Sequence, residues 1–362
     1  MRPSPKPGIM KIAPYVPGRA RAEGFERPLK LSANENPFVC SAAARAAYLD
    51  AAAEMHLYPD ANTSRLRAAI AAKFDLEPER LVFGAGSDEI FAMAAQAYLG
   101  AGDNAVEPQY GFAAWKIATR AAGGEPRFAP ERNFTVDVDA LLASLDARTR
   151  IVFLANPANP TGTWLPFSEI ERLHAGLPGN VLLVLDGAYA ECAAGIEGFS
   201  DGLDWARDKD NVLVTRTFSK VYGLASLRIG WANAPAPVAD ALNRIRLPFS
   251  VPRAGEAAAV AALSDDAFVA RSVSHFVEGR RQLDGALRGL GLETLPSATN
   301  FVTARFDDAQ AVDEALARRG ILVRRLANYG MPDWLRISVG TAAEIERVIE
   351  ALREVLDHLK GE

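Results

Sequence analysis

The sequence predicts an α/β protein: a large domain on a mostly parallel sheet, followed by a smaller α+β domain. Three observations carry that prediction. The chain has 362 residues, enough for about two domains. From about Ser41 to residue 235, short apolar runs alternate with helical patterns. After residue 235 the pattern shifts to consecutive helical stretches, then to strands separated by single helices.

The elements can be justified in order. The first 30 residues hold six of the 22 prolines. Proline fixes φ and removes an N–H donor, so this stretch is expected to be an extended arm, neither a helix nor a central strand. Helical periodicity marks 42–53, 64–74, 88–99, 111–122, 137–145 and 168–175. Between and after them lie apolar runs suited to buried parallel strands, at 81–83, 151–154, 181–185, 212–215 and 228–231. Strands alternating with helices read as βαβ units. Further helices are expected at 236–246, 253–263 and 266–290. A strand at 301–306, a helix at 309–319 and strands at 321–325 and 335–339 follow. Thr341 with Glu344 three residues on forms a capping box that opens the last helix. The expected division is an arm over 1–40, part of it joining the small domain, a large domain over 41–252 and a small domain over 253–362.

Composition excludes several classes. Charges sum to 40 − 45 = −5 without long single-sign runs, which disfavours a nucleic-acid partner. Apolar residues make up 49%, ample for a buried core. The longest unbroken apolar run is 257–263, far short of the roughly 20 residues a membrane span needs. The opening residues carry no apolar core of a secretory signal, so a cytoplasmic location is expected. Cys40 and Cys192 build no disulfide framework and fit a reducing compartment. The four histidines lie far apart, so no metal site is expected.

In open α/β sheets, ligands bind beyond the carboxyl ends of the strands. After 81–83 comes Gly84-Ala85-Gly86-Ser87-Asp88-Glu89, a turn into a helix whose free N–H groups suit an anion. It matches neither the dinucleotide fingerprint nor a P-loop, and alone it reads as a plain strand-to-helix turn. After 151–154, Asn156-Pro157-Ala158-Asn159-Pro160-Thr161-Gly162 forms a stiff loop able to present Asn159. After 181–185 stand Asp186 and Tyr189; a carboxylate there is costly unless it meets a cation or caps a turn. After 212–215 come Thr217-Phe218-Ser219-Lys220 and then Arg228. That lysine could form a Schiff base beside a phosphate site, although a lone Ser-Lys is usually solvated. Together these groups match the complements of pyridoxal 5′-phosphate: a lysine for its aldehyde, an acid for its pyridine nitrogen and donors for its phosphate.

With those residues in view, the chain resembles the histidinol-phosphate aminotransferase family, among the class II, fold-type I enzymes that use this cofactor. The resemblance spans about residues 12–356. It rests on PYVPG (14–18), KLSANENP (30–37), YPD (58–60), GAGSDEI (84–90), NPANPTG (156–162), DGAY (186–189), TFSKVYGLASLRIG (217–230), NFV (300–302), ILVR (321–324) and LRISVG (335–340). It implies a seven-stranded, mostly parallel sheet sandwiched by helices, and a homodimer. Lys220 would bind the cofactor aldehyde and act as general base, and Asp186 would face the pyridine nitrogen. Asn159 and Tyr189 would hydrogen-bond the ring oxygen, with Tyr110 stacked on the ring. Ser87, Asp88, Thr217, Ser219 and Arg228 would hold the phosphate, joined by Tyr58 of a second subunit. Arg336 would bind the carboxylate of glutamate or 2-oxoglutarate. Arg336, Arg324 and Tyr15 would meet the phosphate of histidinol phosphate, with Asn34 and Asn300 lining the same region.

The sequence departs from the family pattern at Ala85, Gly187 and Ser226, none of which removes a group the cofactor chemistry needs. The implied reaction is a ping-pong transfer from L-histidinol phosphate to 2-oxoglutarate. The competing donors are phenylalanine and tyrosine, and a threonine-phosphate decarboxylase is a more distant relative. Gly198-Phe199-Ser200-Asp201-Gly202 matches a hydrolase elbow, but the residues before it form a poor strand. Arg318-Arg319 and Arg324-Arg325 lack the interleaved aromatics of a nucleic-acid surface.

Overall fold

The computed structural model describes residues 3–14 and 17–361, with side chains through residue 359. In the large domain, α1 (Ala42–Ala51) and α2 (Ser64–Phe74) precede β2 (Leu81–Gly84), α3 (Ser87–Tyr98), β3 (Asn104–Pro108), α4 (Ala113–Ala122) and β4 (Glu125–Ala129). A short hairpin, β5 (Glu131–Arg132) with β6 (Thr135–Val136), leads to α5 (Val138–Ala143). The chain continues through β7 (Thr149–Ala155), α6 (Phe167–Ala175), β8 (Leu182–Asp186), α7 (Ala190–Ala193), β9 (Val212–Thr217) and β10 (Gly230–Asn233).

Seven of these strands form one sheet in the order β2-β10-β9-β8-β7-β3-β4. β10 is antiparallel to both neighbours, and the other adjacent pairs are parallel. The run expected at 228–231 as a parallel strand is therefore corrected. Segment 218–229 joins β9 to β10 with only a 3-10 turn (Ala225–Leu227) and no α-helix to carry the chain across the sheet, so the chain turns straight back. Arg228 precedes the strand in a left-handed turn (φ 53°).

Residue alternation explains why the sheet is buried on both faces. Val82, Phe153, Val184 and Leu213 pack on α3, α4 and α8 (Ala236–Ile245). Their neighbours Phe83, Leu154, Leu185 and Val214 pack with α2, α6 and α9 (Arg253–Leu263). Each fully buried Leu, Val or Phe contributes about 1.5–3 kcal/mol. β3 and β4 carry Asn104, Glu107, Pro108, Glu125 and Pro126, which interrupt the apolar signal and hid both strands from the sequence pattern.

The 24-residue α10 (Asp266–Gly289) leads into the small domain. There β11 (Phe301–Arg305), β14 (Met331–Ser338) and β13 (Arg324–Leu326) make an antiparallel sheet covered by α10 and α11 (Ala309–Arg318), with α12 (Ala342–Gly361) packed on both helices. The run expected as one strand at 321–325 divides at Val323. β12 (Ile321–Leu322) pairs instead with β1 (Leu29–Lys30) from the N-terminal segment. No helix among the described residues is long and apolar enough to cross a membrane. No cluster of three or more His, Cys, Asp or Glu side chains among the described residues is placed to hold a metal ion.

Candidate active site

The carboxyl ends of β2, β8 and β9 come level at one edge of the large sheet, because Asp186 is in register with Thr215 and Gly84 and Thr217 both pair with Gly230. Above that edge, beneath residues 17–20 and the small-domain sheet, lies a cavity of about 400 Å³, within the usual size of small-molecule sites.

The floor begins at the turn after β2. Gly86 has φ +82°, and a Cβ on it would stand 2.4 Å from the Arg228 guanidinium. A Cβ on Gly230 would stand 2.4 Å from the Ser87 nitrogen. Both glycines are thus required for the α3 N-terminus to lie against Arg228. Arg228 Nη2 pairs with Asp88 at 3.1 Å, and Nη1 donates to Ser219 Oγ at 3.3 Å. Ser87, Asp88, Thr217, Ser219 and Arg228 all line the cavity. Free helix N–H groups, two hydroxyls and a guanidinium make a cradle for an anion.

Asp186 ends β8 and is 6% exposed. Its carboxylate accepts from Thr215 Oγ1 at 2.9 Å and from the Ala188 N–H at 3.2 Å. Burial pushes its pKa up to about 6 in spite of these bonds, so a cation beside it would be welcome. Lys220 Nζ lies 3.4 Å from the Ala33 carbonyl and 5.6 Å from the Tyr189 ring centre. Burial and then the Arg336 charge lower its pKa to about 8. Burial raises the Tyr189 phenol to about 12, and the phenol oxygen accepts from Asn34 Nδ2 at 2.8 Å.

The roof comes from the small domain and the N-terminal segment. Arg324 and Arg336 stand directly opposite on β13 and β14, each 6% exposed, and both line the cavity. Like charges side by side on adjacent strands are destabilising unless an anion joins them. Arg336 also donates to Asn159 Oδ1 and, at 3.0 Å, to the Ser32 carbonyl.

Of the remaining expected residues, Asn159, Asn34 and Tyr189 line the cavity. Asn300 stands behind it, donating to the Asn34 carbonyl at 3.0 Å. Tyr110 is not among the residues that line the cavity, whose wall here includes Phe112. The Tyr110 N–H is held by the Glu131 carboxylate at 3.0 Å, and its ring stacks on Phe134 at 5.2 Å. Tyr58 lies outside the cavity, 78% exposed and stacked on Phe249. Tyr15 falls outside the described residues. Lys30, Glu35 and Tyr329 also line the cavity and were not foreseen. The first two sit inside the KLSANENP motif, but Tyr329 has no local sequence signal. The departure at Gly187 has a steric basis, since a Cβ there would press on the buried Arg216 side chain at 3.2 Å.

The family model for aminotransferase class I and II matches residues 26–352. Histidinol-phosphate aminotransferase 1 of Caulobacter vibrioides is 50% identical over 97% of this chain and 99% of that protein. The chain belongs to the histidinol-phosphate aminotransferase family. The family's Ruegeria pomeroyi enzyme is 48% identical over 97% of each chain. The crystal structure of histidinol-phosphate aminotransferase from Sinorhizobium meliloti in complex with pyridoxal-5′-phosphate superposes with a TM-score of 0.90 at 31% identity, covering 97% of both chains. This is the fold-type I architecture, with its large mixed sheet and small C-terminal domain. In this family member the floor is electrostatically asymmetric: an anion cradle at one end, a buried acid and an uncharged-prone lysine at the other.

Proposed function

We propose that this chain is a pyridoxal 5′-phosphate-dependent aminotransferase of histidine biosynthesis. It moves the amino group of L-histidinol phosphate to 2-oxoglutarate, giving imidazole acetol phosphate and L-glutamate. The observation that carries the reading is the Arg324–Arg336 pair facing, across one cavity, a buried Asp186 and a lysine of lowered pKa.

The residues present fit the cofactor. The glycine-dependent cradle would take its phosphate, Asp186 its pyridine nitrogen and Lys220 its aldehyde. When bound, the cofactor supplies an electrophilic carbon for amines and a ring that accepts electron density. Asp186, raised to about 6, is largely ionised at neutral pH and becomes fully so beside a cationic nitrogen. Lys220 Nζ, at about 8, is in part unprotonated near neutral pH, so it can take a proton from the substrate carbon and return it. Tyr189 keeps its phenol proton and, with Asn159, would hydrogen-bond the ring oxygen of the bound cofactor. Arg336 takes the carboxylate of the oxo acid, and Arg324, Arg336 and Tyr15 take the phosphate of the donor. A guanidinium fork matches either anion, which lets one pocket serve both half-reactions.

The functional unit we propose is a homodimer in the cytoplasm. Tyr58, 78% exposed and stacked on the 40% exposed Phe249, would reach from one copy toward the phosphate cradle of the second. Both cysteines are free, in keeping with a reducing compartment. The test is the absorbance change of the cofactor-loaded enzyme on mixing with single donors. Histidinol phosphate is expected to discharge the visible band far faster than phenylalanine or tyrosine. An aromatic amino acid as the better donor would reassign the substrate.

A further inference from the structure

Ser338 does not line the cavity, yet it controls a residue that does. On β14 alternate residues share a face, so Ser338 and Arg336 point the same way, toward the N-terminal segment. Asn34 sits there in a left-handed conformation, φ 58°, which brings its backbone N–H and its side-chain carbonyl to the same hydroxyl. The Asn34 N–H donates to Ser338 Oγ at 2.9 Å, and Ser338 Oγ donates to Asn34 Oδ1 at 3.0 Å. A serine hydroxyl has one proton, and here it is spent on Oδ1. Turning the amide over would leave that proton without its acceptor, so the hydroxyl favours Nδ2 facing the Tyr189 phenol, to which it donates at 2.8 Å. With its oxygen accepting from Asn34, the phenol has its own proton left for the cavity that Tyr189 lines.

We propose that Ser338 is a positioning residue: by fixing the Asn34 amide, it makes the Tyr189 phenol a one-way donor to the ring oxygen of the bound cofactor. The proposal rests on the cofactor reading above and deepens it. Without the Ser338 hydroxyl, the Asn34 amide is free to present its oxygen to the phenol, which then donates to Asn34 and not into the cavity. The charged and titratable groups facing the phenol are Arg336 of β14, Asp186 at the end of β8, Cys192 of α7 and Lys220 after β9. Replacing Ser338 alters none of them.

The test is a pH titration of the visible absorbance of holoenzyme loaded with pyridoxal 5′-phosphate. A phenol proton aimed at the ring oxygen stabilises that oxygen's anionic form, so losing it moves the protonation midpoint to higher pH. Ser338→Ala should move the midpoint to higher pH, to a proton concentration about three- to tenfold lower, the range of one net hydrogen bond. Ser338→Thr, which keeps the hydroxyl, should hold the wild-type midpoint. Ser338→Ala added to Tyr189→Phe should shift nothing beyond Tyr189→Phe alone. An unshifted Ser338→Ala midpoint, or an equal shift in the Tyr189→Phe background, overturns the proposal while leaving the function intact. A wild-type protein that shows no visible band with the cofactor overturns both.

Discussion

The floor and the roof of the cavity are built in different ways. Every floor group stands within a few residues of a strand end in one sheet: Ser87 after β2, Asp186 on β8, Thr217 on β9 and Lys220 just beyond it. The parallel register of β8 with β9, and the antiparallel β10 that sets β2 level with β9, then bring them together. Roof contacts join distant parts of the chain, as in Arg336 to Ser32 and Asn34 to Ser338, both 304 residues apart. The floor is thus a property of the sheet, whereas the roof exists only when the small domain, the N-terminal segment and the large domain are assembled. Substitutions in the floor should abolish chemistry, and those in the roof should weaken and redirect binding.

Lys220→Ala gives the sharpest break. Turnover should fall by about 10⁴-fold or more, since both the covalent amine and the proton carrier are removed. The visible band of the loaded enzyme should vanish while the circular-dichroism spectrum stays unchanged. Roof variants come next. Truncating one member of a buried charged contact costs about 2–5 kcal/mol, so Arg324→Gln should lower kcat/KM for histidinol phosphate by roughly 10²–10³-fold. Arg324→Gln should leave the half-reaction with glutamate nearly intact, whereas Arg336→Gln should impair both substrates. Equal losses for both substrates in the two variants would show that the arginines do not divide the work.

This contrast also explains what could be read in the sequence. Asp186, Tyr189 and Lys220 were legible because each stands at, or three residues beyond, the end of a buried strand. The setting of Tyr110 was not, because it depends on Glu131 of the β5 hairpin holding its backbone and on Phe134 receiving its ring. Both partners lie more than 20 residues onward in an element with no apolar signal. The seven-stranded sheet was implied by family resemblance, yet periodicity alone missed β3 and β4, whose polar residues and prolines break the apolar runs. Antiparallel β10 was misread as parallel because period-2 patterning is blind to direction.

Stability against pH separates the two regions again. The Asp186 carboxyl has its folded value near 6 against an ordinary 3.8, so the folded protein holds an extra proton between those values. Stability of the cofactor-free protein therefore falls as pH rises through that window, and the penalty is complete above it. Asp186→Asn should stabilise the cofactor-free protein at pH 8 by on the order of 1–3 kcal/mol, and hardly at all near pH 3. Thermal melts at the two pH values measure this. Arg324→Gln in the roof leaves Asp186 in place, so its stability should fall through the same window as that of the unaltered chain.

The smallest expected effect concerns how the roof is tied down. Asp313 on α11 is 2% exposed, and burial raises its pKa. Arg19 reaches it at 3.2 Å, while the Arg19 carbonyl accepts from Ser32 Oγ at 3.2 Å. Pro17, Gly18 and Ala20, on either side of that arginine, line the cavity. The ion pair therefore ties one cavity wall to the small domain. Because the Arg19 side chain is 43% exposed, water screens the pair and limits it to about 1 kcal/mol or less. Asp313→Asn should accordingly raise the KM for histidinol phosphate by about two- to fivefold with kcat unchanged. Trypsin should cut faster after Arg19 and Arg21, which lie in the loosened segment. Faster cleavage with an unchanged KM would mean that the tether holds the segment without shaping the site. A fall in kcat as large as the rise in KM would mean that the roof, like the floor, acts on the chemical step.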